Sequence, residues 1–250
     1  MPKLFVLARP SFTDEFATFL AEENEVWRFA GGSAAERLVE FAGRICYMSF
    51  GRRQSPKRNS EYIGNLIRQG HESVLEHVSW TFLLSDVTRS FTHQLVRHRA
   101  GFSFSQLSQQ YHDESDARSI VPEGLDDIPG ATEVFERAVN ASREAYRQIL
   151  AKLASEPDQS KESLRAIRSA ARSVLLNATE TKIVITANAR AIRHFLDVRG
   201  AIDGDVEMRR VAKLIYDVLI EDAPALVADF VEEKLSDGTP RIVKIRQLTS

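Results

Sequence analysis

Arg97, His98 and Arg99 stand in a row, just ahead of the serine- and glutamine-rich stretch SFSQLSQQY at 103–111. A guanidinium carries permanent charge and a fixed fork of donors, which suits it to phosphate. The hydroxyls and amides that follow are the groups that orient a second ligand by hydrogen bonding. Three more arginines, Arg172, Arg190 and Arg199, fall at element ends or in strand-to-helix turns, and Arg190 and Arg199 flank one helix, ANARAIRHFLDVRG. A helix start adds free N–H groups for an anion. Singly, each arginine reads as an ordinary surface cation; together they describe a site able to hold a pyrophosphate and a monophosphate.

Other chemistries find less support. Ser103, Ser105 and Ser108 lie outside any G-x-S-x-G elbow, so they read as hydrogen-bonding residues rather than nucleophiles. HESVLEH at 71–77 is not H-E-x-x-H, and the inverted form needs histidine at 73, where Ser73 stands. No metal site is expected; His71 reads as a ligand-facing loop residue and His77 as a satisfied structural one. The single cysteine, Cys46, excludes internal disulfides and, in the helical-looking EFAGRICYM, reads as a small buried hydrophobe. Neither common glycine-loop nucleotide motif is present.

The elements that must position these residues follow from periodicity. Strands are expected at 3–9, 25–30, 77–87 and 179–189. Helices are expected at 11–23, capped by Ser11 or Thr13, and at 33–48, with Ser33 as N-cap and Glu36 three residues on. Further helices are expected at 60–70, closed by Gly70, and at 88–98, 131–155, 159–176, 189–199, 206–223 and 223–235. Residues 112–130, rich in Asp, Pro and Gly, read as a loop, SEPDQS as a linker, and the basic end 238–250 as loose or an edge strand. A few strands among many helices, without regular βαβ alternation, predict an α+β fold: a small, mostly antiparallel sheet packed with several long helices.

At 250 residues the chain is long enough for a substantial core, and one catalytic domain spanning 1–250 is expected. Thirty-three basic against 35 acidic residues argue against a nucleic-acid coat, which shows a broad basic excess. An RNA-binding protein using the 97–99 run is therefore the weaker reading. No apolar run reaches membrane-spanning length and the start is too soon polar for a secretory signal, so a cytoplasmic protein is expected.

Four blocks in order, HESVLEH, QLVRHR, SFSQLSQQY and ARSVLLNATETKIVITANARAIRHFLDVR, resemble the flavin-dependent thymidylate synthases, the ThyX family. The family signature is Arg-His-Arg, seven residues, then Ser. This chain departs twice: eight residues separate Arg99 from Ser108, and Gln110 stands where the family has an arginine that helps bind the nucleotide. The resemblance implies conversion of dUMP to dTMP with methylenetetrahydrofolate as carbon donor, FAD as cofactor and NADPH as reductant. It also implies a homotetramer whose sites form between subunits, with the flavin rather than a side chain doing the bond-making.

By position, the resemblance assigns FAD to Ser73, Arg97, His98, Arg99, Gln106, Asn188, Arg190 and His194. It assigns dUMP to Gln94, Arg97, Gln106, Leu107, Ser108, Gln109, Gln110 and Arg172. Arg199 is implied as the catalytic residue, contacting the pyrimidine and stabilising negative charge on its ring. Gln110 keeps open the same chemistry on a related nucleotide such as UMP, because an amide supplies no charge.

Overall fold

The computed structural model describes residues 1–154 and 160–245. The last residue of the helix expected at 131–155, most of SEPDQS and the tail beyond 245 lie outside the described residues. The fold is α+β. A four-stranded sheet has the order β1 (Lys3–Ala8), β2 (Ser79–Thr88), β4 (Glu180–Asn188), β3 (Phe102–Gln106), and a second sheet pairs β5 (Phe230–Lys234) with β6 (Pro240–Lys244). The Thr81 and Thr186 hydroxyls meet at 2.9 Å while Arg89 N–H donates to the Thr179 carbonyl, so β2 and β4 run antiparallel. Asn188 N–H donates to the Gly101 carbonyl and Leu107 N–H to the Lys182 carbonyl, which makes β3 and β4 antiparallel too.

The chain divides into two compact units. The first comprises 1–3, 83–97 and 104–184. It holds the short helix α4 (Arg89–Leu95), whose N-cap Thr88 accepts from Phe91 N–H, and the long helices α5 (Ala131–Ala154) and α6 (Lys161–Ala171), packed against each other. Ser160 caps α6, and Phe91, Leu95, Tyr146, Ile167 and Ala171 are buried.

The second unit comprises 4–82, 98–103 and 185–250. Its helices are α1 (Phe16–Glu22), α2 (Ala34–Ile45), α3 (Asn59–Arg68), α7 (Ala189–Arg199) and α8 (Val206–Asp222). Phe12, Phe16, Phe41, Trp27 and Phe50 form one aromatic cluster. Beneath it, the fully buried Glu40 accepts from Arg44 Nε at 2.6 Å, from Trp27 Nε1 at 3.2 Å and from Asn59 Nδ2 at 2.8 Å. Arg44 in turn donates to the Ser49 and Pro56 carbonyls, so the buried charge pair is satisfied on both sides. Ser33 and Glu36 form the expected capping box at the start of α2.

Three expectations are corrected. Residues 25–30 form no strand beyond an isolated bridge between Ala30 and Arg58. Helix α1 starts at Phe16 with Glu15 as N-cap and no side-chain cap, so neither Ser11 nor Thr13 serves. The helix expected at 223–235 is a short turn, Pro224–Val227, followed by β5: Pro224 blocks continuation of α8, and Phe230–Lys234 alternates burial as a strand does. Its partner is β6, so 240–244 pairs as a strand. The polar stretch at 103–111 begins within the strand β3 (Phe102–Gln106).

Candidate functional site

In the second unit, α7 organises the site. Strand β4 ends at Asn188, whose Oδ1 accepts from Ala191 N–H at 2.9 Å and so caps the helix. The turn carrying Arg99 to Gly101 lies against this helix start. Gly101 has φ +74°, and a Cβ there would stand 2.6 Å from Asn188 Nδ2 and 2.8 Å from the Ala191 Cβ. Only glycine permits that approach.

The result is a cleft of about 450 Å³ lined by Gly101, Asn188, Arg190, His194 and Lys244 on one hand and by Glu72, Glu76 and Asp197 on the other. Arg190 is exposed and pairs with Glu76 at 2.6 Å, with Glu72 4.0 Å away. Arg193, on the buried face of α7, is instead tied to Asp229 and the Leu226 carbonyl. An anion entering this cleft meets cationic groups already held by carboxylates, so it must compete with Glu76 for Arg190.

At the far end of α7, Arg199 Nε donates to His98 Nε2 at 3.1 Å. The imidazole packs edge-on against Phe195, with ring centroids 5.3 Å apart, and beside Phe102 and His194. Burial, followed by the Arg199 charge and by His194, pushes the His98 pKa down to about 4. His98 is therefore neutral at physiological pH and acts as an acceptor. Gly200 closes the helix where it touches β6: a Cβ would lie 2.5 Å from the Leu196 carbonyl oxygen and 2.6 Å from that of Ile242. Ile242 N–H donates to the Gly200 carbonyl, which fastens the Arg199 end of the helix to the hairpin.

The first unit carries the second group. Gln106 Nε2 donates to Thr92 Oγ1 at 2.8 Å and reaches Thr181 Oγ1 at 3.4 Å. The Leu107 carbonyl accepts from Arg89 Nη1 at 3.3 Å. Ser108 Oγ accepts from Gln110 N–H, and its carbonyl accepts from Tyr111 and His112, making 108–112 a tight turn in which Gln109 is buried and Gln110 half-buried. Arg172 sits at the C-cap of α6, half-buried, without a carboxylate partner among the described residues. Burial lowers the Arg89 pKa most; Glu114 opposes, and Arg172 adds to the lowering. Two neighbouring guanidiniums that disfavour each other's charge gain from an oxyanion placed between them.

His98, Asn188, Arg190, His194 and Arg199 share the second unit with Ser73 and Arg99, both exposed; Ser73 lies in the turn Glu72–His77. Gln94, Arg97, Gln106 to Gln110 and Arg172 share the first. Arg89 was missed, although it follows a strand and a threonine cap just as Arg190 follows a strand and the Asn188 cap. The Glu72 and Glu76 partners of Arg190 were missed as well. Cys46 is exposed rather than buried, because it falls at the C-cap of α2 with its Sγ donating to the Ala42 carbonyl. His77 is exposed too, at the end of the 72–77 turn.

Residues 31–225 match the family model described as thymidylate synthase complementing protein, Thy1. The chain is 48% identical over 227 residues to a flavin-dependent thymidylate synthase of Mycobacterium avium, covering 88% of this chain and 89% of the relative. It is 46% identical over 226 residues to the enzyme of that name in Mycobacterium marinum, with the same coverage. A third relative of that name, from Mycobacterium tuberculosis, is 46% identical over 227 residues, again at 88% and 89% coverage.

Proposed function

This chain belongs to the thymidylate synthase complementing protein family, and from that membership we infer that it is a flavin-dependent thymidylate synthase, a methyltransferase that converts dUMP to dTMP. The observation that carries the reading is the cleft at the start of α7, where Asn188, Arg190 and His194 stand beside the Gly101 turn. The backbone there approaches as closely as a missing Cβ allows, which seats the Asn188 side chain and the start of α7 against the Gly101 turn at the cleft wall. That geometry and the nearby cations fit FAD, with Asn188 Nδ2, Arg190 and His194 holding it and Ser73, Arg97, His98, Arg99 and Gln106 completing the set. When bound, reduced flavin supplies the hydride that completes the methyl group.

The protein's own residues bind, orient and balance charge. Arg172, joined by Arg89, neutralises the nucleotide phosphate. Gln94, Gln106, Leu107, Ser108, Gln109 and Gln110 contact the rest of dUMP through amide, hydroxyl and backbone groups, with Arg97 beside them. Arg199 presents a guanidinium to the pyrimidine and stabilises negative charge on the ring as the new C–C bond forms. Methylenetetrahydrofolate supplies the carbon and NADPH the electrons. The enzyme works as a cytoplasmic homotetramer with its sites at subunit interfaces and with residues 1–250 as its catalytic domain.

Gln110 favours one competing reading, the same methylation on UMP, because a neutral amide in the 108–112 turn constrains the nucleotide less than a guanidinium does. Turnover of dUMP and UMP measured side by side, with FAD, methylenetetrahydrofolate and NADPH, separates them. The expected outcome is dTMP from dUMP with little product from UMP; preference for UMP overturns the dUMP assignment.

A further inference from the structure

Arg199 closes α7, and its Nη groups have no partner among the described residues while its Nε is spent on His98 Nε2 at 3.1 Å. A guanidinium is planar, so anchoring Nε fixes the plane in which both Nη groups donate. The anchor is itself rigid: the imidazole stands edge-on to Phe195 at 5.3 Å and beside Phe102 at 6.0 Å. Because Nε2 accepts, the single ring proton of neutral His98 sits on Nδ1, which sets the tautomer.

We propose that His98 is a positioning residue for Arg199, its ring accepting from Nε so that both Nη groups are aimed at the nucleotide ring before it binds. This is a role distinct from contact with the flavin, and its catalytic half rests on the reading of Arg199 given above. Two charged or titratable groups face the imidazole, Arg199 and His194, both on α7. Protonating His98 sets an N–H against the Arg199 N–H and a cation against a cation, so acid breaks the lock. The low pKa of about 4 keeps the lock intact across the physiological range.

Two experiments on the full-length protein test this. In the first, nitrogen NMR of isotope-labelled histidine follows His98 in the wild type and in Arg199→Ala, with no turnover needed. The expected result is an unprotonated Nε2 at neutral pH in the wild type, and a His98 pKa that rises in Arg199→Ala once the neighbouring cation is gone. A protonated Nε2 at neutral pH, or an unchanged titration, overturns the hydrogen bond.

The second compares His98→Gln, whose Oε1 keeps an acceptor near the Nε2 position, with His98→Phe, which keeps the aromatic packing and loses the acceptor. Positioning predicts that His98→Phe loses roughly 10- to 100-fold in kcat per bound flavin, and that His98→Gln loses clearly less. A packing role predicts the reverse order, and a role confined to holding flavin predicts an unchanged kcat per bound flavin in both variants; either result overturns the proposal. A wild-type protein that makes no dTMP removes the functional reading and the catalytic half with it, while the NMR result still decides the hydrogen bond.

Discussion

Replacing Arg199 by alanine removes one half-buried hydrogen bond but the whole of the charge proposed to face the nucleotide ring. The fold should lose about 1 kcal/mol at most, while kcat should fall by roughly 100-fold or more. Thermal unfolding and steady-state kinetics on the same preparation check this, and a variant that unfolds instead makes Arg199 structural. Arg172→Ala should act on binding instead: the apparent affinity for dUMP should drop by at least about tenfold, as expected for one charge-assisted contact to phosphate, with kcat affected less. Isothermal titration with dUMP reads it directly. His98 also gives a pH signature whose sign is set by its depressed pKa. The unfolded chain takes up a proton near pH 6.5 and the native state only near about 4, so stability is present above 6.5 and is lost as pH falls through that window. Urea midpoints at neutral pH and near pH 5 should diverge more for the wild type than for His98→Gln.

Elements carry these side chains only because two glycines let backbones touch. Gly101→Ala pushes a methyl into the Asn188 amide and the Ala191 side chain at a positive φ, so it should loosen the start of α7 and lower flavin content. Absorbance of the purified variant measures the effect. Gly200→Ala drives a methyl into two carbonyl oxygens, one on β6, and should displace the Arg199 end of the same helix. Elsewhere in that unit, Glu40→Ala would leave Arg44 buried without its carboxylate and strand Trp27 and Asn59, costing about 3–5 kcal/mol by urea denaturation. The elements themselves were legible where a local rule decides them. Ser33 with Glu36, Thr88 and Asn188 are side-chain caps at helix starts, and β2 and β4 carry β-branched and aromatic residues. What local pattern could not show was β5, since Phe230–Lys234 becomes a strand only through pairing with Pro240–Lys244, where an edge strand was one of the two readings.

At the scale of the whole molecule, near-neutral charge and an arginine-centred site point to a metabolic enzyme acting on small anions rather than a nucleic-acid coat. The proposed tetramer predicts a sedimentation mass about four times that of one chain, which analytical ultracentrifugation measures; a stable monomer that turns over dUMP contradicts sites built between subunits. Arg190 and Arg199 stood out because they flank one helix, whereas Asn188 and His194 of the proposed site were implied only by the family resemblance. Arg89 and the Glu72 and Glu76 partners of Arg190 were not, because their significance comes from neighbours distant in sequence: Arg172 for the first and α7 for the other two. The measurement that bears most directly on the whole account is single-turnover mixing of the purified protein, its flavin reduced, with dUMP and methylenetetrahydrofolate under anaerobic conditions. With flavin as the hydride donor, dTMP should form while the flavin absorbance returns to its oxidised spectrum at the same rate; dTMP formed without flavin oxidation, or a protein that retains no flavin at all, contradicts that role.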